Sequence, residues 1–220
     1  MKKSFGKFSI IILIIIALFA CKGPNTKPPI STIIINVENG AEYAALIDEV
    51  EFYTDATKEP HTLCKVPFNN GKWSLPFPQT IADNYLATIS EVKGGIPKGV
   101  TISDPTAKVT TIGVNFYKNG KQVKYTLGHV YDDFPPNLGT PHFMYTNKPV
   151  IILGLSPAGE TTSVPMIMDL NLKSGYNLLY YSFVVNNPSD PENITLKVST
   201  STNKKYKWYI SSYINSPNMQ

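Results

Sequence analysis

Through residues 33–213 the chain repeats one pattern: short runs rich in Val, Ile, Tyr, Phe and Thr, separated by Gly, Pro and Asn. None of it carries the three-and-four spacing of a long amphipathic helix. Alternation is clearest in Met166, Met168, Leu170 and Leu172, and again in Leu179, Tyr181, Phe183 and Val185. Successive side chains of a strand point to opposite faces, so each such run has one face to bury. The pattern predicts an all-β chain built of antiparallel β-sandwich modules.

Strands are expected near residues 33–37, 46–53, 63–68 and 72–77, then near 109–117, 121–131, 142–146, 149–154, 165–172, 176–185, 193–200 and 206–212. Asn70-Gly71 and Asn119-Gly120 each lie between two such runs and predict hairpins with type I′ turns, whose two central residues need positive φ. Residues 32–104 are assigned to a small sandwich-like domain and 105–213 to a second antiparallel domain, with the Gly-rich stretch 92–99 as linker. One continuous β-structure is the alternative. In the second portion, successive strands on short connections suit a meander, closed either as a sandwich or as a barrel.

The stretch Asn70-Gly71-Lys72-Trp73-Ser74-Leu75-Pro76 resembles the transthyretin-like or carboxypeptidase-regulatory β-sandwich modules of Bacteroides-type surface lipoproteins. Within the likeness an Asn-Gly-Lys-aromatic hairpin is followed by a short apolar strand and a proline.

Residues 1–20 begin with Lys2, Lys3 and Lys7, continue through an apolar run of about 12 residues and end at Ala20, the layout of a secretory signal. A helix crossing a bilayer takes roughly 20 apolar residues, so this run is short for a permanent span. Leu18-Phe19-Ala20-Cys21 resembles the lipobox of bacterial lipoproteins, departing from it in the bulky Phe19. The resemblance implies a diacylglycerol on the Cys21 thiol, cleavage before Cys21 and acylation of the new amine. Two or three acyl chains make a stable anchor. Residues 21–31, rich in Pro and polar side chains, read as a flexible tether. No Asp follows Cys21, which favours the outer membrane over inner-membrane retention; periplasmic and surface orientations both stay open.

Without the three signal lysines the net charge falls from +4 to +1, and all twenty basic residues are Lys. A nearly neutral body without arginine forks gives no reason to expect nucleic acid. Once Cys21 is lipidated, Cys64 has no partner for a disulfide; alternation places it with Val66 and Phe68 on an inward face. Trp73 and Trp208 are assigned to the core by the same reasoning.

Motifs that could carry chemistry are few. Gly154-Leu155-Ser156-Pro157-Ala158-Gly159 comes nearest to a nucleophile elbow, but its second glycine is one residue late and Pro157 follows the serine; it reads as a hairpin loop. His61 and Cys64 have half the spacing of a zinc site with no second half. The Asn- and Asp-containing stretch 186–193 offers oxygen ligands but lacks the spaced acids of a calcium loop and reads as a turn. The most suggestive place is the loop bearing His129, Asp132, Asp133 and His142, flanked by Tyr131, Phe134, Phe143 and Tyr145. A Pro-stiffened solvated loop is the plain reading, and a ligand or metal site the sharper one.

No cofactor is implied. The expected function is that of a lipid-anchored, non-catalytic cell-envelope module, binding or assisting a carbohydrate, peptide or protein partner. Two alternatives stand beside it: a lipocalin-like carrier with Met166, Met168, Leu170, Tyr181 and Phe183 lining a barrel cavity, and a metal-dependent hydrolase using the 129–142 loop.

Overall fold

The structure, a computed structural model, describes residues 31–57, 59–92, 96–131, 142–159, 162–187, 189–201 and 206–212. In chain order the strands are β1 (Ser31–Asn36), β2 (Glu49–Thr54), β3 (Thr62–Pro67), β4 (Lys72–Phe77), β5 (Ala87–Thr88), β6 (Val100–Ile102), β7 (Lys108–Lys118) and β8 (Lys121–Val123). They continue with β9 (Tyr125–Tyr131), β10 (His142–Thr146), β11 (Val150–Ser156), β12 (Met166–Leu172), β13 (Gly175–Asn187), β14 (Asp190–Ser199) and β15 (Tyr206–Ser212). The helical elements among the described residues are 3-10 turns of three or four residues.

One large sheet runs β3-β2-β7-β10-β13-β14-β12-β11-β6, with β5 and β8 also paired to β7. Facing its first half is a second layer made of two ribbons, β4-β1 and β9-β15. A parallel bridge between Val37 and Trp208 joins the ribbons, and the Glu38 N–H donates to the Trp208 carbonyl at 2.9 Å.

The two layers close over an aromatic core. In β4, strict alternation buries Trp73, Leu75 and Phe77 and exposes the residues between them. Opposite lie Val50 and Phe52 of β2, Ile112 and Phe116 of β7, and Phe143 and Tyr145 of β10. Phe52 meets the rings of Trp73 and Phe77 edge-on at 6.1 and 5.6 Å, the geometry that ring quadrupoles favour. Both tryptophans are buried as expected, and Trp73 Nε1 donates to the Phe68 carbonyl at 2.8 Å, so its polar edge is satisfied. A second, aliphatic core gathers Val109, Val150, Ile152, Met166, Leu170, Leu172, Leu179 and Val198 from β7, β11, β12, β13 and β14. Burying one such side chain contributes about 1.5–3 kcal/mol.

The all-β expectation holds, and the spans 72–77, 142–146 and 206–212 coincide with strands. The hairpin at Asn119-Gly120 forms as predicted, with φ of 50° and 71° and Lys118 opposite Lys121. The one at Asn70-Gly71 does not. Those residues have positive φ, but so has Asn69, and the longer turn sends β4 to pair with β1 while β3 pairs with β2. The turn is clamped from above: a Cβ on Gly40 would lie 2.2 Å from the Asn70 carbonyl oxygen.

The meander is also corrected. β14 inserts between β12 and β13 and lies parallel to β12, whereas the other strand pairs among the described residues are antiparallel. No closed barrel forms among the described residues. Met166 and Leu170 are buried in the second core, against which Met168 and Tyr181 pack. The boundary assigned at 104/105 is crossed by pairing and packing alike, since β2 pairs with β7 and the aromatic core draws on residues from Ile35 to Ile210. Of the assigned linker, residues 93–95 lie outside the described residues.

Candidate functional site

The strand that organises the described molecule is β7. Its inward side chains Ile112, Val114 and Phe116 belong to the aromatic core, so Thr111, Gly113, Asn115 and Tyr117 face outward. Across the register, Tyr53 lies opposite Gly113 and Glu51 opposite Asn115. The outer face of β3, β2 and β7 is consequently polar, and it contains a carboxylate that water barely reaches.

Glu51 has a side chain only 10% exposed. Thr62 Oγ1 donates to its Oε1 at 2.6 Å; Tyr117 OH and Asn115 Nδ2 donate to Oε2 at 2.6 and 3.2 Å. Lys65 Nζ stands 3.8 Å away and sits over the Tyr117 ring at 4.6 Å. Burial pushes the carboxyl pKa up, but the three donors and the lysine charge outweigh it and leave it below the ordinary value. Glu51 is therefore an ionised acceptor with its oxygens occupied, suited to holding neighbours in place. Asn115 is held in this way, and its Oδ1 accepts from Gln122 Nε2 at 2.9 Å.

Beside this network the main sheet has a notch. On the edge of β7 away from β2, β10 pairs with Val109–Ile112 and β8 with Phe116–Lys118. Residues 113–115 have no strand partner there among the described residues. The gap arises because the chain leaves β7 at Lys124 and enters β9, which pairs with β15 in the other layer. The resulting cleft is about 570 Å³, within the roughly 300–1,000 Å³ typical of small-ligand sites. Outward residues Tyr53, Asp55, Thr111, Asn115, Gln122 and Lys124 line it, while inward residues such as Val114 and Leu127 close its base. The Tyr53 ring lies directly on Gly113: a Cβ there would be 2.3 Å from the Tyr53 Cζ. Burial, then the charges of Asp55 and Glu51, raise the Tyr53 pKa, so the phenol stays neutral at physiological pH.

None of the residues singled out from sequence is among the described residues lining the cleft. Asp132 and Asp133 fall outside the described residues. His129 and His142 belong to β9 and β10, with side chains also outside that description, as is Cys21. Among the described residues no group of three His, Cys, Asp or Glu could hold a metal. Ser156 ends β11 fully buried, and Pro157 to Gly159 turn the chain rather than start a helix. Cys64 is half-buried against the aromatic core, and burial raises its thiol to about 11. His61 is exposed and stacks on Tyr85 at 3.9 Å. Asn186 Nδ2 donates to Asn193 Oδ1 at 2.9 Å, so these two amides bond to each other.

Two signals could have pointed to the cleft. Glu49-Val50-Glu51-Phe52-Tyr53 alternates, placing Glu51 and Tyr53 together on the outer face. An isolated glycine within a strand, Gly113, marks a close approach. Compared with protein-family models, curated proteins and solved structures, the chain matches none of them.

Proposed function

We propose that this chain is an exported lipoprotein, cut before Cys21 and held by acyl chains on that cysteine at the outer membrane, whose β-body acts as a non-catalytic binding or accessory module. The observation that carries the binding role is the cleft beside β7. It joins an aromatic face to hydrogen-bonding side chains, and the carboxylate bordering it has its oxygens occupied by donors instead of standing free as an acid or base. Concave sites with an apolar base and a few placed polar groups are where small ligands bind. The anchoring role is supported by the order of basic start, apolar run and Leu18-Phe19-Ala20-Cys21. The first described strand begins at Ser31, and the ten residue steps from Cys21 to it reach at most about 35 Å when extended. A body so tethered works close to the membrane surface.

Cys21→Ser tests the anchor. The expected result is an unacylated chain that incorporates no labelled palmitate, with the β-sheet circular dichroism unchanged. Tight membrane retention with acylation intact would overturn this reading. For the binding role, pull-downs that recover no partner, together with robust hydrolysis of cell-wall or glycan substrates, would do the same.

A further inference from the structure

We infer that the cleft beside β7 binds a neutral saccharide, with one sugar ring stacked on the face of Tyr53; this rests on the binding-module reading above and names its ligand class. Three observations lead there.

The first is the platform. Gly113 lacks the Cβ that would collide with Tyr53, so the hydroxyl end of the ring lies over the strand and the half-buried side chain lines the cleft. An aromatic face carries the negative side of the ring quadrupole and attracts polarised C–H groups, which a pyranose presents on its flat face.

The second is the surrounding chemistry. Asn115 and Gln122 offer amides, Thr111 and Thr126 hydroxyls, and the single acid Asp55 is balanced by the single base Lys124. Sugar hydroxyls are both donors and acceptors and match such a set. An anionic ligand would meet no excess of positive charge, and the chain has no arginine to grip a carboxylate, sulfate or phosphate with a fork. The Glu51 network fixes Asn115, which in turn holds Gln122 by one N–H and leaves that residue's Oε1 and second N–H for a ligand.

The third observation separates a sugar from a peptide. Peptides that add to a sheet edge draw their affinity from a run of main-chain hydrogen bonds. Among the described residues the unpartnered edge of β7 is three residues long, closed by β10 at one end and β8 at the other. Backbone groups of an antiparallel strand face a given neighbour at alternate residues, so this edge supplies one or two pairing positions.

The test uses the full chain purified in detergent. It is titrated with neutral hexasaccharides (β-1,4-glucan, β-1,4-mannan and α-1,4-glucan), with a hexuronate as anionic control and a mixed dodecapeptide pool as peptide control. The expected result is saturable binding of at least one neutral hexasaccharide, a loss of at least tenfold in affinity for Tyr53→Ala, and retention within about threefold for Tyr53→Phe, which keeps the ring and loses only the hydroxyl. Gln122→Ala, an exposed position on β8, should weaken binding about three- to tenfold while leaving the circular dichroism and thermal midpoint unchanged. Binding of no neutral hexasaccharide, or binding that Tyr53→Ala leaves intact, overturns the inference. Should the peptide pool or the hexuronate bind instead, in a way that Tyr53→Ala abolishes, the neutral-saccharide assignment falls and the binding-module reading survives.

Discussion

The two halves of the main sheet solve the same burial problem with different materials. Where β3, β2, β7 and β10 are covered by the β4-β1 and β9-β15 ribbons, the core is aromatic, with Phe52, Phe77, Phe116, Phe143 and both tryptophans interlocked. Beyond β13 the core is aliphatic, and the outer face of β11 shows Ile151, Leu153 and Leu155 to solvent at 44–54% exposure. A double layer with large rings fixes the strand that carries the cleft. The other half packs smaller aliphatic side chains drawn from strands of the one sheet.

That difference can be broken by truncating each core. Phe52→Ala removes a fully buried ring touching Trp73 and Phe77 and should cost about 3–5 kcal/mol; Leu172→Ala, equally buried in the aliphatic core, should cost about 2–5 kcal/mol. Because Trp73 and Trp208 both lie in the aromatic core, tryptophan fluorescence reports that half, while far-ultraviolet circular dichroism reports both. β7 contributes Val109 to one core and Ile112 and Phe116 to the other, and β10 pairs directly with β13. Such shared strands should couple the halves, so Leu172→Ala is expected to lower the urea midpoint equally by both probes. A fluorescence midpoint that stays fixed while the dichroism splits into two transitions would show the halves to be separate folding units.

The outer face gives a smaller effect confined to the aromatic half. Glu51→Gln turns an acceptor of three hydrogen bonds and a lysine charge into an amide with one acceptor oxygen, and should cost about 2–3 kcal/mol at neutral pH. The pH dependence follows from linkage. Because the folded carboxyl has a pKa below its unfolded value of about 4.5, its stabilising share is complete above that pH and is lost as pH falls through the lowered folded value. Urea titrations from pH 7 to pH 2.5 should therefore bring the variant and the parent chain together at the acid end. A stability gap that persists unchanged to pH 2.5 would mean that charge is not what Glu51 contributes.

What the sequence disclosed and what it withheld divide along the same physical line. Alternation and turn residues are local, so most strands and the Asn119-Gly120 turn were readable. Pairing partners are not local. Val123, Tyr125 and Leu127 keep their inward alternation straight through Lys124, so 121–131 reads as one strand; that it changes sheets at Lys124, and thereby opens the cleft, depends on β15 more than 70 residues later. The same holds at Asn70-Gly71, where turn chemistry was legible and the re-aiming of β4 toward β1 was not. The site was the least legible part, because its signals are a lone glycine and a glutamate whose three donors come from β3 and β7.

The finest comparison sets two glycines against each other, one in each half. Both stand in strands and both lack room for a Cβ, but what crowds them differs. At Gly113 the obstacle is the far end of the Tyr53 side chain, which can rotate away. At Gly154 it is the backbone of Gly99 and Val100, at 2.2 and 2.8 Å, and φ there is 145°, which L-residues rarely adopt. Since β6 is a three-residue strand that pairs only with Ile152–Gly154 among the described residues, Gly154→Ala must push it off β11 and should cost about 1–2 kcal/mol, with faster amide exchange confined to residues 100–102 and 152–154. Gly113→Ala should cost about 1 kcal/mol or less, because the ring moves instead of the strand. It should nonetheless displace Tyr53 and weaken binding in the cleft, so a small stability change paired with a large binding change is its expected signature. If Gly113→Ala instead destabilises the chain as much as Gly154→Ala does, the Tyr53 ring is part of the packing that holds β2 to β7, and the contrast between a yielding side chain and an unyielding backbone is lost.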